Sequence, residues 1–426
     1  MNSADFINFS LQIGAMLGTA VLFGQLMRRF KQPAILGEMI GGIILGPTIF
    51  GTVAPAIYNW LFISSPNVVA VRDASIKLGM LFFLFVAGQE INLGDLRTMG
   101  KRAILIGLIG TLVPIGVGVG LVYALPRAFW GPIAPEHFLS FGLFIGMNLA
   151  NSANPVLARI LMDLGLLKSG VGATMMTATI IDDLVNWTLF AIILSDIAPN
   201  QTAANTSLQV SILLVVLFFV LVLGIGRWLG PRGLQWIKKR VSWPTGLIGV
   251  TTLVIIVTGS LAEGLGINAF LGAFLAGVAL AGDDPDHNSA YQVVSHFALS
   301  FFAPVYFVSM GLTANFITNF DFLLVLIIVI TAYGSKTGAV LLGARLAKMP
   351  INRETVSIAL GLNARGATGI ILAGIGLANN VIDERIFVAL VTMCIVTSLI
   401  AGPSMNALLL HRTTVKAPAG ANRSDL

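Results

Sequence analysis

Cysteine occurs once in this chain of 426 residues, at Cys394, and histidine only four times. A lone cysteine excludes disulfides within the chain and a cysteine-rich metal site. Charge is scarce too: Asp, Glu, Lys and Arg make up 10% of the residues, against about 25% in a soluble domain. That shortage excludes an ordinary soluble fold. No cleavable leader is expected, because Asp5 precedes a first apolar run that is itself long enough to span a bilayer.

What is present is apolar. Hydrophobic residues make up 56% of the chain and the mean hydropathy is +0.90. The chain reads as an all-α polytopic membrane protein with nearly all its length in lipid. The net charge of +6 does not indicate nucleic acid, because the basic residues gather in short loops between apolar runs.

Thirteen apolar runs are expected as transmembrane helices, near 6–28, 34–51, 75–93, 103–125, 137–162, 170–195, 207–229, 245–264, 267–281, 295–314, 321–345, 354–378 and 384–410. Segment 52–74 reads as an outer loop, too polar and proline-interrupted to span. Basic residues follow alternate runs: Arg28, Arg29 and Lys31; Arg97, Lys101 and Arg102; Lys168; Arg232, Lys238, Lys239 and Arg240; Lys348 and Arg353; Arg412, Lys416 and Arg423. This alternation puts those loops in the cytoplasm, the N-terminus outside and the C-terminus inside. The acidic inner loop Asp283-Asp284-Pro285-Asp286-His287 departs from the pattern. The expected location is a cell inner membrane, crossed many times. His137, His287, His296 and His411 fall near span ends and read as interfacial residues.

An internal repeat is visible. Residues 34–45 (AILGEMIGGIIL) align without gaps on 269–280 (AFLGAFLAGVAL), pairing Gly37 with Gly272 and Gly42 with Gly277. The match continues weakly from FVAGQEINL (85–93) to FVSMGLTAN (307–315). The expected direction across the membrane is opposite for each pair, so the chain reads as two inverted-topology repeats. Residues 1–195 form the first, 196–240 a connecting helix, 241–412 the second, and 413–426 a short cytoplasmic tail. The fifth helix of each half carries helix-breaking residues: Asn151-Ser152-Ala153-Asn154-Pro155, and Gly361 to Gly369. Pro155 removes a backbone donor and clashes with the preceding turn. Broken helices aim dipoles and unpaired carbonyls at an ion near the midplane.

Asp182 and Asp183 stand in an otherwise uncharged run, 170–195. Asp182 lies about 18 Å along it, near the middle of a ~30 Å hydrocarbon core. Ionisable groups there are costly and mark ion or substrate paths. Lys336 lies in another apolar run, roughly 13 Å from Arg345 at its inner end. An ion pair with one of the two aspartates is expected. Two adjacent carboxylates do not both ionise cheaply, so their titrations are coupled. With Lys336 holding one, the other is left to a proton or a monovalent cation, and that competition is the minimum machinery of an exchanger. Arg365, in the second break, can cap exposed carbonyls, offset half-helix dipoles, or pair with Glu38, Glu90 or Glu263.

At this point the chain resembles the cation/proton antiporter superfamily, in the branch of paired-aspartate sodium/proton antiporters, Kef-like potassium systems and plant cation/proton exchangers. The resemblance covers essentially the whole chain. It rests on NSANPVLARILMDLGLL (151–167), TIIDDLVNW (179–187), GSKTGAVLLGARLAK (334–348) and GLNARGATGIILA (361–373). It implies a core domain of six helices with the crossed, broken pair, the other helices forming a dimer domain. It implies that Asp183 binds the ion and the proton and that Asp182 partners Lys336. Asn151, Ser152 and Asn154 fall at the break that contributes nearby ligands, supported by Pro155 and Arg365. The Asp-Asp and Lys set is similar to the electrogenic sodium/proton type. The chain ends soon after its last apolar run, so the nucleotide-binding domain typical of Kef-like systems is not expected.

The function expected is secondary-active Na+/H+ exchange in a homodimer, with Na+ as the metal at Asp183. A K+/H+ antiporter is the alternative, and a sodium-coupled organic-anion symporter a weaker one. An intramembrane aspartyl protease does not fit. No Gly-x-Gly-Asp motif is present, and two neighbouring acids project about 100° apart on one helix. No enzymatic activity, cofactor or nucleic-acid partner is expected.

Overall fold

Backbone polar groups have no water to bond in lipid, so an apolar run there satisfies them internally as a helix. The computed structural model describes residues 3–30, 32–63, 65–89, 100–131, 137–167, 169–197, 213, 217–224, 226, 245–265, 269–281 and 292–409, and all regular elements among them are helical. They are α1 Ser3–Arg29, α2 Ala34–Leu45, α3 Pro66–Gln89, α4 Lys101–Ala124, α5 Phe138–Ala150, α6 Asn154–Asp163 and α7 Gly170–Ile197. After these come α8 Thr245–Gly264, α9 Ala269–Leu280, α10 Gln292–Leu312, α11 Phe322–Leu346, α12 Arg353–Gly361, α13 Gly366–Ala378 and α14 Glu384–Leu409. Seven helices among the described residues are long and apolar enough to cross a membrane.

Several expectations fall outside the described residues: most of the run at 207–229, Lys31, Glu90, Arg97, Lys168, Arg232, Lys238, Lys239, Arg240, the acidic loop at 283–287, and the tail with His411, Arg412, Lys416 and Arg423. One expectation is corrected. Segment 52–74 is not simply a loop: it holds short helical pieces at Phe50–Val53, Pro55–Tyr58 and Asn59–Ile63, and α3 begins at Pro66. Proline suits the first turn of a helix, where its missing N–H has no intrahelical partner in any case. The polar start of α3 is held from outside it. Arg72 donates to the Phe62 carbonyl and to Gln12, and Asn8 of α1 donates to the Trp60 carbonyl.

The helices pack as two groups. In one, α2 lies between α1 and α10, and α9 lies between α8 and α3. In the other, α4, α5, α6, α7, α11, α12, α13 and α14 surround the two breaks. The groups meet where α13 touches α2, where Gly374 faces Tyr306 and Met310, and where the ring of Trp187 of α7 lies tilted against Phe274 of α9, centroids 5.4 Å apart.

Glycine sets the closeness within the first group. A Cβ on Gly37 would strike the Phe23 carbonyl, and one on Gly272 the Thr258 carbonyl. A Cβ on Gly42 would strike the Val308 backbone, and one on Gly277 the Phe85 carbonyl. Small residues permit this backbone approach in membranes, where van der Waals packing drives helix association. Gly277→Ala is therefore expected to destabilise the protein by about 1–3 kcal/mol through overpacking. Thermal unfolding in detergent measures it, and an unchanged midpoint would refute the close packing.

Candidate ion-binding site at the helix breaks

The first break follows α5. Asn151 (φ −59°, ψ 144°) and Ala153 (φ −90°, ψ 111°) are extended, and Pro155 stands in the first turn of α6. The second break, 362–365, ends at Gly366, whose φ of +40° only glycine adopts readily. The two breaks touch. The Ala153 N–H donates to the Ala364 carbonyl at 2.7 Å, and the Ser152 hydroxyl donates to the Leu362 carbonyl at 2.7 Å.

A helix leaves its last carbonyls without partners and carries partial negative charge at that end. At the end of α5 two cations meet them. Arg365 donates to the Leu149 carbonyl at 2.6 Å and also to Ala332 of α11 at 2.8 Å. Lys336 donates to the Ala150 carbonyl at 2.6 Å and to Asp182 Oδ2 at 2.5 Å. Both side chains are fully buried, so Lys336 does not reach the membrane surface. Of the roles open to Arg365, the geometry has it capping carbonyls. Glu263 instead accepts from the Ala269 N–H, and Glu38 lies against Gly24 of α1.

The neighbouring aspartates are bound by different sets. Asp182 takes Lys336 and the Thr111 hydroxyl of α4. Asp183 Oδ2 accepts from Asn154 Nδ2 at 3.0 Å, and Asn154 Oδ1 accepts in turn from the Thr179 hydroxyl. Asn151 Oδ1 accepts from Asn186 Nδ2 at 3.4 Å. All these groups are buried. Two buried cations thus face two carboxylates, and the charge sum at the crossing changes with each proton or monovalent cation added.

Sequence reasoning brought forward Asp182, Asp183, Asn151, Ser152, Asn154, Lys336 and Arg365, and the fold gathers them at one crossing. It missed Thr111, Thr179 and Asn186. Thr179 and Asn186 stand four residues either side of the acids, on faces they share, and that spacing was a usable signal. Thr111 had none. Among the described residues, Asn148 Oδ1, Asn151 Nδ2, Asn186 Oδ1 and Arg365 Nε are buried without a hydrogen-bond partner.

Ser152 and Asn154 separate chemically. Ser152→Ala loses one of the two bonds between the breaks and is expected to cost about 1 kcal/mol of stability, read from thermal unfolding. Asn154→Ala removes the group that touches Asp183. It is expected to raise the half-saturating cation concentration more than it lowers turnover. An unchanged half-saturation in flux assays would remove Asn154 from the site.

Fold and site together define a multi-pass membrane protein with an ionisable cluster at the crossing of two broken helices. The chain belongs to the sodium/hydrogen exchanger, transmembrane family, which matches residues 17–411. It is similar to Cation/H(+) antiporter 18 of Arabidopsis thaliana, 31% identical over 407 residues that cover 93% of this chain and 48% of the plant protein. It thus spans about half the length of the plant relatives it matches. Na(+)/H(+) antiporter NhaS4 of Synechocystis sp. is 29% identical over 408 residues, covering 95% of this chain and 97% of that one. The fold is similar to that of the sodium proton antiporter MjNhaP1 from Methanocaldococcus jannaschii at pH 8, with a TM-score of 0.73 and 16% identity over 95% of this chain and 99% of that one.

Proposed function

We propose that the protein is a secondary-active monovalent cation/proton antiporter of the paired-aspartate branch, exchanging Na+ for H+ by alternating access. The observation that carries this reading is the Lys336–Asp182 ion pair beside Asp183, buried where the two breaks cross. Asp183 takes the cation or the proton in turn, with Asn154 beside it. Asn151 and Ser152 hold the break, and Arg365 holds the α5 terminus. Pairing of Lys336 with Asp182 in the cation-free state makes exchange electrogenic. The relatives' names support cation/proton exchange and leave the cation open: one is a Na(+)/H(+)-K(+) antiporter of Bacillus cereus, 28% identical over 403 residues. K+ is therefore the second reading.

The same proposal holds that the chain comprises two inverted repeats of six helices joined by a seventh, thirteen in all. The support is the reciprocal packing of α2 on α10 and of α9 on α3, with paired glycines at matching contacts. It places the N-terminus outside and the C-terminus in the cytoplasm of an inner-membrane homodimer. It assigns no enzymatic activity and no cofactor. The test is cation-driven proton flux in liposomes across Li+, Na+ and K+. No flux with any of them would overturn the reading, and flux with K+ alone would replace Na+ by K+.

A further inference from the structure

The Asn154 side chain presents the wrong end of its amide to a cation. Its N–H points at Asp183, and its oxygen is taken by Thr179. An N–H stabilises a bare carboxylate, but only an oxygen can ligate a cation. The two ends of an asparagine amide are nearly the same size. A half-turn about its last torsion exchanges them and leaves the heavy-atom positions in place.

Such a turn usually strands a buried donor. Here it does not. The Thr179 hydroxyl carries one hydrogen and two lone pairs, and its oxygen lies within bonding distance of two acceptors. One is Asn154 Oδ1, and the other is the Met176 carbonyl at 2.9 Å on its own helix. A threonine bond back to its own helix is common and means little alone. What matters is the choice between two acceptors. With its hydrogen on Asn154, Thr179 satisfies the amide oxygen. With its hydrogen on Met176, the same oxygen accepts from the turned amide N–H. In both orientations the Thr179 hydroxyl and the end of the amide facing it are bonded, and the turn leaves two oxygens facing the place a cation would take, in a pocket where Thr179 is completely buried and Asn154 nearly so.

We propose that Thr179 is a positioning residue that makes the Asn154 amide reversible, so that it shows N–H to bare Asp183 and oxygen to the arriving cation. This rests on the exchange reading above and adds how the site changes its ligand set without moving its backbone. Thr179 makes one hydrogen bond in the unturned state and two in the turned one, where it donates and accepts, while the amide exchanges its bond to Asp183 for one to Thr179. Removing the hydroxyl therefore penalises the cation-bound form more.

The test compares wild type, Thr179→Val and Thr179→Ser in liposomes, with proton flux followed against graded Na+. Thr179→Val is expected to raise half-saturating Na+ about fivefold, the order of one net hydrogen bond, with a smaller change in maximal rate. Thr179→Ser, which keeps the hydroxyl, is expected to restore the wild-type value. A hydroxyl needed only for packing would alter stability and rate without this split. Infrared difference spectra of the wild-type protein with and without Na+ give a second reading that does not depend on the valine variant folding. An asparagine carbonyl band is expected to shift on Na+ addition and to be missing in Asn154→Ser. Unchanged half-saturation in Thr179→Val, or no Asn154-dependent band, would overturn the proposal. If wild type shows no flux, the exchange reading falls, and the infrared comparison alone decides the amide turn.

Discussion

Asp183→Asn is expected to abolish cation-driven proton flux while leaving the protein folded and membrane-inserted. The substitution keeps the shape of the side chain and an oxygen that can still accept from Asn154 Nδ2, now at 3.0 Å from the carboxylate. On the proposed reading it removes the charge that a cation must meet and the acid that carries a proton. An amide oxygen alone gives a dehydrated cation far less than a carboxylate does, and it takes up no proton in the working range. Coupling therefore fails at both steps, and flux should fall to the level of empty liposomes. Size-exclusion profile and thermal midpoint should stay near wild type, because Lys336 keeps its partner Asp182. Wild-type-like flux in this variant would move the site elsewhere.

Lys336→Gln should separate charge movement from transport. The Lys336 ammonium bonds Asp182 and the Ala150 carbonyl at once. Breaking a buried pair by removing one partner costs about 3–5 kcal/mol, because the remaining charge is left uncompensated. The variant should be markedly less stable for that reason. Glutamine can still donate to the Ala150 carbonyl, so the end of α5 stays capped. On the proposed mechanism, cation entry would release Lys336 from its pair and let an extra proton leave, so that more protons than cations would cross per cycle. Without the ammonium that proton is gone. Exchange should lose its response to membrane potential, and its pH profile should be displaced. The measurement is proton flux at a clamped potassium potential. Wild-type flux indifferent to potential, or a variant with unchanged charge movement, would refute the Lys336–Asp182 mechanism.

Much of the site was legible before any coordinates. Asp182, Asp183 and Lys336 stood out because ionisable groups in an apolar run are expensive in lipid and persist only with a partner or a task. Pro155 marked the first break, because proline removes a backbone donor. The paired glycines 37/272 and 42/277 marked where backbones meet. The start of α3 was misplaced for a related reason. Pro66 interrupts a helix only from within, and its position in a first turn is visible only once the preceding pieces dock on α1.

The remainder depended on contacts between distant segments. Ser152 bonds a carbonyl 210 positions away, and Arg365 caps Leu149 across 216. Backbone carbonyls carry no residue signature, so nothing in the sequence could say which ones would be left open or which cation would reach them. Side-chain chemistry by itself determined that this chain buries charge in a membrane and which residues bear it. Only the crossing of the two breaks decided the partners. An unpaired carbonyl or ammonium in lipid must bond whatever group the fold brings within about 3 Å, and sequence order does not set that distance.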